Sequence, residues 1–413
     1  MSSRFQAPRG TTDVLPKDAV KRARLEETAA KILTRAGYGR IETPTFEPTQ
    51  LFARTVGEAT DVVQKEMYTF ADGSGDSLTL RPEGTAPVVR AYLEHGMHKL
   101  PQPVKLWYLS SFFRYERPQA GRYRQFWQIG AEAVGSADPA VDAELILLLG
   151  ELLEAIGARD VKLVLATLGQ PESRAAYREE LKAYLRAHED ELSHEVRARI
   201  DLNPLRAFDA KHEPTQRVMA DAPRLLDRLP KEDHDHFAEV CGLVRAAGLD
   251  FEVDTTLVRG LDYYTRTLFE FQSGALEAAQ NTLGGGGRYD NLAEQIGGPH
   301  TPGMGWAAGV ERMLMAATQP VPAALPPDIW IAYEPGHKAP AFKLATDVRR
   351  AGLSARMELA GRSVKGQLKQ ASRSEPRYVA VVVDEGVNLR DRETGDDKLV
   401  EPKSVMHHIR GRM

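Results

Sequence analysis

The sequence predicts a mixed α/β (α+β) chain: an antiparallel-sheet domain interrupted by a helical module and followed by a smaller mixed α/β domain. Three observations predict it. VKLWYLSSFFRYE (104–116) and RQFWQIGAEAVG (124–135) are strand-like runs around a polar loop, RPQAGRY. Together they make a long hairpin, and long antiparallel strands argue against a doubly wound sheet. Residues 170–248 are highly charged and helix-compatible, with no strand signal. Beyond the proline-rich QPVPAALPPD (319–328), strand and helix patterns alternate to the end of the chain, as in a small α/β domain.

In chain order, residues 18–36 form an amphipathic helix between Pro16 and Gly37, the usual start and stop residues. A strand carrying Ile41 follows and breaks at Pro44, and 84–95 are helical. Residues 138–156 form a helix whose apolar stretch Leu145–Ile156 is interrupted by Gly150, Glu151 and Glu154. It is too short to span a bilayer and reads as buried. Strand signals return at 251–258 and 267–272, then come the glycine-rich LGGGGRYD and a helix over 308–317. In the last part DIWIAY, ARMEL and YVAVVV are strands, 338–351 and 363–373 helices, and a hairpin-like segment closes. The expected domains are 1–169 with 251–318, a helical insertion at 170–250, a linker at 319–327, and 328–413.

With 413 residues, 42% hydrophobic and 27% charged, the composition is that of a soluble multidomain chain. The polar start MSSRFQAPRGTTD lacks a signal-peptide run, and the lone Cys241 permits no disulfide framework; both suggest the cytoplasm and no membrane. Net charge is −4, but 327–413 hold 16 basic and 12 acidic residues, +4 on a body of −8. A basic tail on an acidic body suggests a local polyanion contact. GxxxxGK[ST] and HExxH are absent, and GGGGRYD is not a dinucleotide fingerprint, so a protein-built metal site is not expected. His234/His236 and His407/His408, set among charges, read as solvated.

Arginines and carboxylates on β-rich segments carry the chemistry. Arg114, Arg117, Arg122 and Arg124 lie along the hairpin. Arg114 and Glu116 share a strand face by their spacing, as do Gln128, Gly130 and Glu132. Such guanidiniums either grip a triphosphate with bidentate bonds or keep a hairpin tip soluble. Tyr263 and Tyr264 could pack a strand or recognise a polar ring. Glu83 could serve a helix start or a ligand. Gly284–Gly287 could form a flexible loop, or let the backbone approach a ligand.

FRYERPQAGRYRQF followed by Q..G.E resembles motif 2 of class II aminoacyl-tRNA synthetases in the histidyl form. RGTTDVLP (9–16) resembles that family's N-terminal signature, and YGRIETPTFEPTQLF (38–52) its motif 1. LVRGLDYYTRTLFEF (257–271) resembles a histidine-specific motif, and GMGWAAGVERML (303–314) motif 3. LRPEGTAPVVR (80–90), GGGGRYDNL (284–292) and a tail with AGRSVKGQLKQA (360–371) also match. Agreement from about Phe5 to the C-terminus is far more specific than any one block.

The resemblance implies a class II antiparallel-sheet catalytic domain, an anticodon-binding domain at 328–413, and a homodimer formed through motif 1. It implies ATP-dependent activation of L-histidine and its transfer to histidine tRNA, with Mg2+ accompanying ATP. Arg114 is then expected on the α-phosphate, Arg312 on the γ-phosphate, and Arg122 and Glu116 on the nucleotide side. Arg259 is the expected catalytic arginine. Glu83 and Glu132, with Thr85 and Gln128, are expected at the histidine ammonium, and Tyr263 and Tyr264 at the imidazole. The sequence departs from the family pattern at Trp127, where His is usual, and at Trp306, where Phe is common. The alternative within the resemblance is a catalytically inactive paralogue serving as regulatory subunit of ATP phosphoribosyltransferase. Such paralogues lack the tail and parts of the arginine set, which this chain keeps.

Overall fold

A computed structural model describes residues 5–57, 60–257, 259–277, 280–318 and 326–410. The chain divides into two units, Met1–Val321 and Pro322–Met413. Most of the expected linker, 319–325, lies outside the described residues.

The strands of the first unit, in chain order, are β1 (Gly39–Arg40), β2 (Phe46–Pro48), β3 (Tyr68–Ala71), β4 (Ser77–Leu80), β5 (Val104–Phe113) and β6 (Gln125–Val134). They continue with β7 (Val161–Thr167), β8 (Glu252–Val253), β9 (Thr265–Ser273), β10 (Thr282–Arg288) and β11 (Gly303–Gly309). Among the described residues these form an eight-stranded sheet, β1-β5-β6-β11-β10-β9-β7-β8, and a small one, β2-β4-β3. The large sheet is antiparallel except at its margins, where β1 pairs with β5 and β7 with β8 in parallel. The hairpin expected from the sequence is β5–β6, in register from Val104↔Val134 to Phe113↔Gln125.

One face of the large sheet is sealed by helices. In α1 (Pro16–Arg35), Leu25, Ala29, Ile32 and Leu33 make the apolar stripe, Pro16 starts the helix and Arg35 closes its last turn. After α2 (Thr49–Val56) and α3 (Thr85–Glu94), α4 (Pro139–Ala155) starts where Asp138 accepts the Ala140 N–H at 2.8 Å. This N-cap satisfies a donor left free at a helix start. Leu145, Ile146, Leu149, Leu152 and Leu153 of α4 are buried, as its apolar sequence requires. Trp127, Ile129, Ala131 and Ala133 of β6, with Met304, Trp306 and Ala308 of β11, face this same core. Alternation therefore turns Phe126, Gln128, Gly130 and Glu132 to the opposite face, which is the face of the site.

Between β7 and β8 run α5 (Pro171–Ala187), α6 (His194–Arg197), α7 (Glu213–Ala220) and α8 (Lys231–Ala246), joined by 3-10 turns. After β10 come α9 (Leu292–Gln295) and, after β11, α10 (Val310–Ala316). The second unit has its own five-stranded sheet. In it β12 (Ile329–Tyr333) pairs in parallel with β13 (Ala355–Met357) and β14 (Tyr378–Val383), and β15 (Gly386–Asp391) and β16 (Asp397–Val400) follow antiparallel. α11 (Lys338–Arg350) and α13 (Val405–Arg410) contribute to its core, while Gln367 of α12 (Val364–Ser374) bonds the backbone of Tyr333 at 2.9 Å and 3.0 Å.

Several sequence expectations are corrected. The hairpin strands stop at Phe113 and resume at Gln125, so Arg114 and Glu116 share no strand face; the backbone turns there, with Glu116 N–H on the Arg114 carbonyl. Among the described residues of the strand expected over 251–258, only Glu252–Val253 form one. Gly284–Gly287 is no loop: it forms most of β10, in a sheet interior so crowded that side chains would collide with neighbouring strands. The helix expected over 308–317 starts only at Val310, because Gly303–Gly309 is a strand. His236 is buried beside Asp142, not solvated, whereas His234 is exposed.

Candidate active site

The polar face of the large sheet gathers two clusters. The first is buried around Glu132. Thr85 Oγ1, at the start of α3, donates to Glu132 Oε1 at 2.8 Å, and Tyr289 Oη donates to Oε2 at 2.6 Å. Tyr108 Oη reaches Oε1 at 3.4 Å. Glu83 precedes α3 and accepts the backbone N–H groups of Thr85 at 2.7 Å and Ala86 at 3.1 Å. It therefore does serve a helix start, while lying in the same cluster. Tyr263 and Tyr264 pack ring to ring with centroids 4.8 Å apart, and Tyr289 meets Tyr263 edge-on at 6.1 Å. Glycines leave the necessary room. A Cβ on Gly305 would strike Glu132 Oε2, and one on Gly285 would strike Arg259 Nη1.

The second cluster is cationic. Arg114, Arg122, Arg259 and Arg312 line a cleft of about 170 Å³ together with Glu116 and Gln128. Arg114 donates from Nε to the Pro82 carbonyl at 2.9 Å and stands over the Phe126 ring at 5.5 Å. Arg312, near the start of α10, donates to the carbonyls of Gly121 and Thr282, each at 2.9 Å. This fixes its aim and ties the hairpin loop to β10. Arg259 Nη1 bonds Glu270 Oε1 at 2.8 Å, and Arg122 pairs with Glu116. Gln128 Oε1 is buried and has no hydrogen-bond partner among the described residues, a state that costs free energy until something donates to it. The two other hairpin arginines play lesser parts. Arg117 is exposed, and Arg124 stacks on Tyr115 at 3.8 Å.

Burial dominates the electrostatics. It raises Glu83 to about 7 and Glu132 to about 8, with the facing Glu83 charge adding to the second. Two backbone N–H bonds hold Glu83 back, so its carboxyl rises less. Burial lowers Arg114, and lowers Arg312 with help from Arg122 and Arg114. Burial works against Arg259 too, but Tyr264, Glu270 and Tyr263 outweigh it and its pKa is raised. The cleft thus concentrates positive charge that an anion would stabilise.

The eleven residues to which the resemblance gives a role all lie in these adjoining clusters. Sequence reasoning missed Tyr289, Tyr108 and Glu270. Tyr289 was readable in GGGGRYD, and Glu270 as the one charge within the apolar TLFEF. Tyr108 had no such signal. Among the described residues no group of three or more His, Cys, Asp or Glu side chains could hold a metal, and no helix is long and apolar enough to cross a membrane.

A family model described as histidyl-tRNA synthetase matches residues 10–313. The histidine–tRNA ligase of Desulforamulus reducens is 45% identical, over 98% of this chain and 99% of its own. Apo histidyl-tRNA synthetase of S. aureus superposes with a TM-score of 0.81 at 34% identity, covering 98% of this chain and all of that one. A Bacillus halodurans structure described as an ATP phosphoribosyltransferase regulatory subunit/histidyl-tRNA synthetase shares the fold at 22% identity and a TM-score of 0.65, over 90% and 97% of the two chains.

Proposed function

The chain belongs to the histidyl-tRNA synthetase family, and from that premise we infer that it activates L-histidine with ATP and transfers it to histidine tRNA. The observation that carries this reading is the junction of three arginines, Arg114, Arg259 and Arg312, with a buried pair of glutamates. A polyanion and an ammonium ion need opposite surroundings, and these two clusters adjoin. The regulatory-subunit alternative is weaker, because the close relative is a full-length ligase and the arginine set is complete.

In the first step a carboxylate oxygen of histidine attacks the α-phosphorus of ATP. An O–P bond forms, the bond to the β-phosphate oxygen breaks, and diphosphate leaves. In the second step a hydroxyl of the tRNA's terminal adenosine attacks the acyl carbon, and AMP departs. Arg114 holds the α-phosphate, Arg312 the γ-phosphate, and Arg122 with Glu116 the nucleotide side. Arg259 stabilises the charge that grows as the α-phosphorus becomes five-coordinate; fixed donors are worth most where charge develops. Gln128 Oε1, Glu83, Glu132 and Thr85 receive the ammonium, and Tyr263 and Tyr264 border the imidazole, where a hydroxyl can donate or accept.

Magnesium would accompany the triphosphate. It would need only one or two carboxylates beside phosphate oxygens, and Glu116, which lines the cleft and is paired with Arg122, would hold it on release from that arginine. The ion would neutralise phosphate charge. Residues 170–250 clamp the acceptor side of the tRNA, 328–413 bind the anticodon, and 38–52 join two copies, where Phe46 is exposed. The working compartment is the cytoplasm. The test is ATP–diphosphate exchange with each amino acid in turn. Exchange that needs histidine and proceeds without tRNA supports the reading; exchange with another amino acid alone, or none, overturns it.

A further inference from the structure

The helical module between β7 and β8 holds the segment that carries Asp262, Tyr264 and Arg266 at three alternate residues. Arg174, in the first turns of α5, donates from Nη2 to the Tyr264 carbonyl at 2.9 Å. That carbonyl lies just before β9 and outside its paired register, so the arginine supplies the partner that the sheet does not. Two residues earlier, the Asp262 carboxylate faces Arg206, Arg178 and Arg174, all from the module. Two residues later, Arg266 is bonded by Asp233 at 3.0 Å and Glu232 at 2.6 Å, both on α8. Arg266 needs this hold: its φ is +41°, a strained value for a residue with a side chain.

What this brace controls is the placement of one ring. Tyr264 is buried, packs against Tyr263, and lies under the Arg259 guanidinium at 5.9 Å. A Cβ on Gly287 would meet its ring at 2.8 Å. The ring has no room to compensate if its backbone shifts.

We propose that Arg174 is a positioning residue for histidine recognition: by holding the Tyr264 carbonyl it sets the tyrosine ring, and it makes the pocket depend on the helical module. The inference rests on the reading that Tyr263 and Tyr264 border bound histidine. An arginine whose bond merely stabilised the fold would affect both substrates alike. A positioning residue separates them, because the arginines that grip ATP are held by other partners, Pro82, Gly121 and Thr282.

The test is steady-state exchange by the full-length enzyme with histidine and ATP varied separately, for Arg174→Met and Arg174→Lys. Methionine keeps the packing stem and removes the donors; lysine keeps a charged donor group without the guanidinium's planar fork. The expected result is a KM for histidine raised on the order of tenfold by Met, and less by Lys, with the KM for ATP within about twofold of wild type. Thermal melting verifies folding. A folded Met variant whose histidine KM is unchanged, or whose two constants rise together, overturns the proposal. If Arg174→Met does not fold, Asp262→Asn loosens the same segment from the same arginines. A selective rise in its histidine KM then supports the proposal, and an unchanged or parallel response overturns it. Wild-type enzyme without histidine-dependent exchange would remove the underlying reading. Intact exchange with no split removes this inference alone.

Discussion

Arg259 and Glu270 form an ion pair at 2.8 Å between a loop and the polar face of β9, one-fifth or less of either side chain being exposed. The pair fixes the guanidinium before substrate arrives, so little reorganisation remains when charge develops at phosphorus. Pairing also raises the question whether Arg259 is structural or catalytic, and kinetics separates the two.

If catalytic, Arg259→Ala should fold, bind histidine, and form adenylate at least about 100-fold more slowly, the usual cost of one transition-state donor. Transfer from preformed histidyl adenylate should suffer much less. Rapid-quench single turnovers resolve the steps. A folded variant slowed less than about tenfold in adenylate formation removes Arg259 from that role.

The parts of this site legible in the sequence were those fixed by short-range pattern. Alternation along β6 put Gln128, Gly130 and Glu132 on one face, and the residues that face the helices proved to be the other set. Period alone could not foresee β10 and β11. Glycine-rich strands carry no apolar alternation, and only the crowding around Gly285 and Gly305 explains why glycine suits them. Partners distant in sequence were equally hidden. Tyr289 and Glu132 are 157 residues apart, and nothing local announces their bond. His236 misled for the opposite reason: Asp235 and Glu239 beside it are exposed, but His236 itself lies on the buried face of α8, together with Asp233, which bonds Arg266.

Glu132 supplies a pH prediction. Its folded pKa, about 8, is above the ordinary 4.5, so the folded chain binds the proton more tightly than the unfolded one. Its contribution to stability is therefore greatest below 4.5 and is lost as pH rises through about 8. A cationic substrate group favours the carboxylate, so histidine should release a proton on binding near pH 7 and bind more tightly as pH rises from 6 to 8. Glu132→Gln should reduce that release, leaving the part due to Glu83, which is raised to about 7, and weaken binding by about tenfold or more. Calorimetry in buffers of unlike ionisation heat measures the release; equal release by wild type and variant would sink the assignment.

Trp127, where the family pattern has His, turns out to face the helices rather than the cleft. Arg22 stands over its ring at 4.3 Å, and its backbone N–H meets Glu311 at 3.1 Å. Trp127→His keeps the N–H bond and loses the stack, worth about 0.5–1 kcal/mol when partly exposed. The variant should melt about one degree lower with an exchange rate within about threefold of wild type. A loss above about tenfold with a normal melt would place the ring in the chemistry.

The second unit carries the last prediction. Its core is its own, built on Ile329, Ile331, Ala380 and Val382 with α11, and its net charge of +4 contrasts with the acidic remainder. None of the residues lining the arginine cleft belongs to it. Removing 327–413 should therefore spare adenylate formation and damage tRNA charging, if the lost surface is the one proposed to meet RNA phosphates and bases. In the intact enzyme charging should weaken as salt rises, since each neutralised phosphate releases counterions, whereas histidine-dependent exchange should respond much less. Sedimentation must show that the truncated chain keeps the oligomeric state of the full one, so that loss of assembly is not mistaken for loss of a tRNA contact. Charging reduced by at least about tenfold more than exchange fits a separate tRNA role. Equal loss of both activities, in a protein whose assembly is unchanged, would mean that this unit supports the catalytic fold instead.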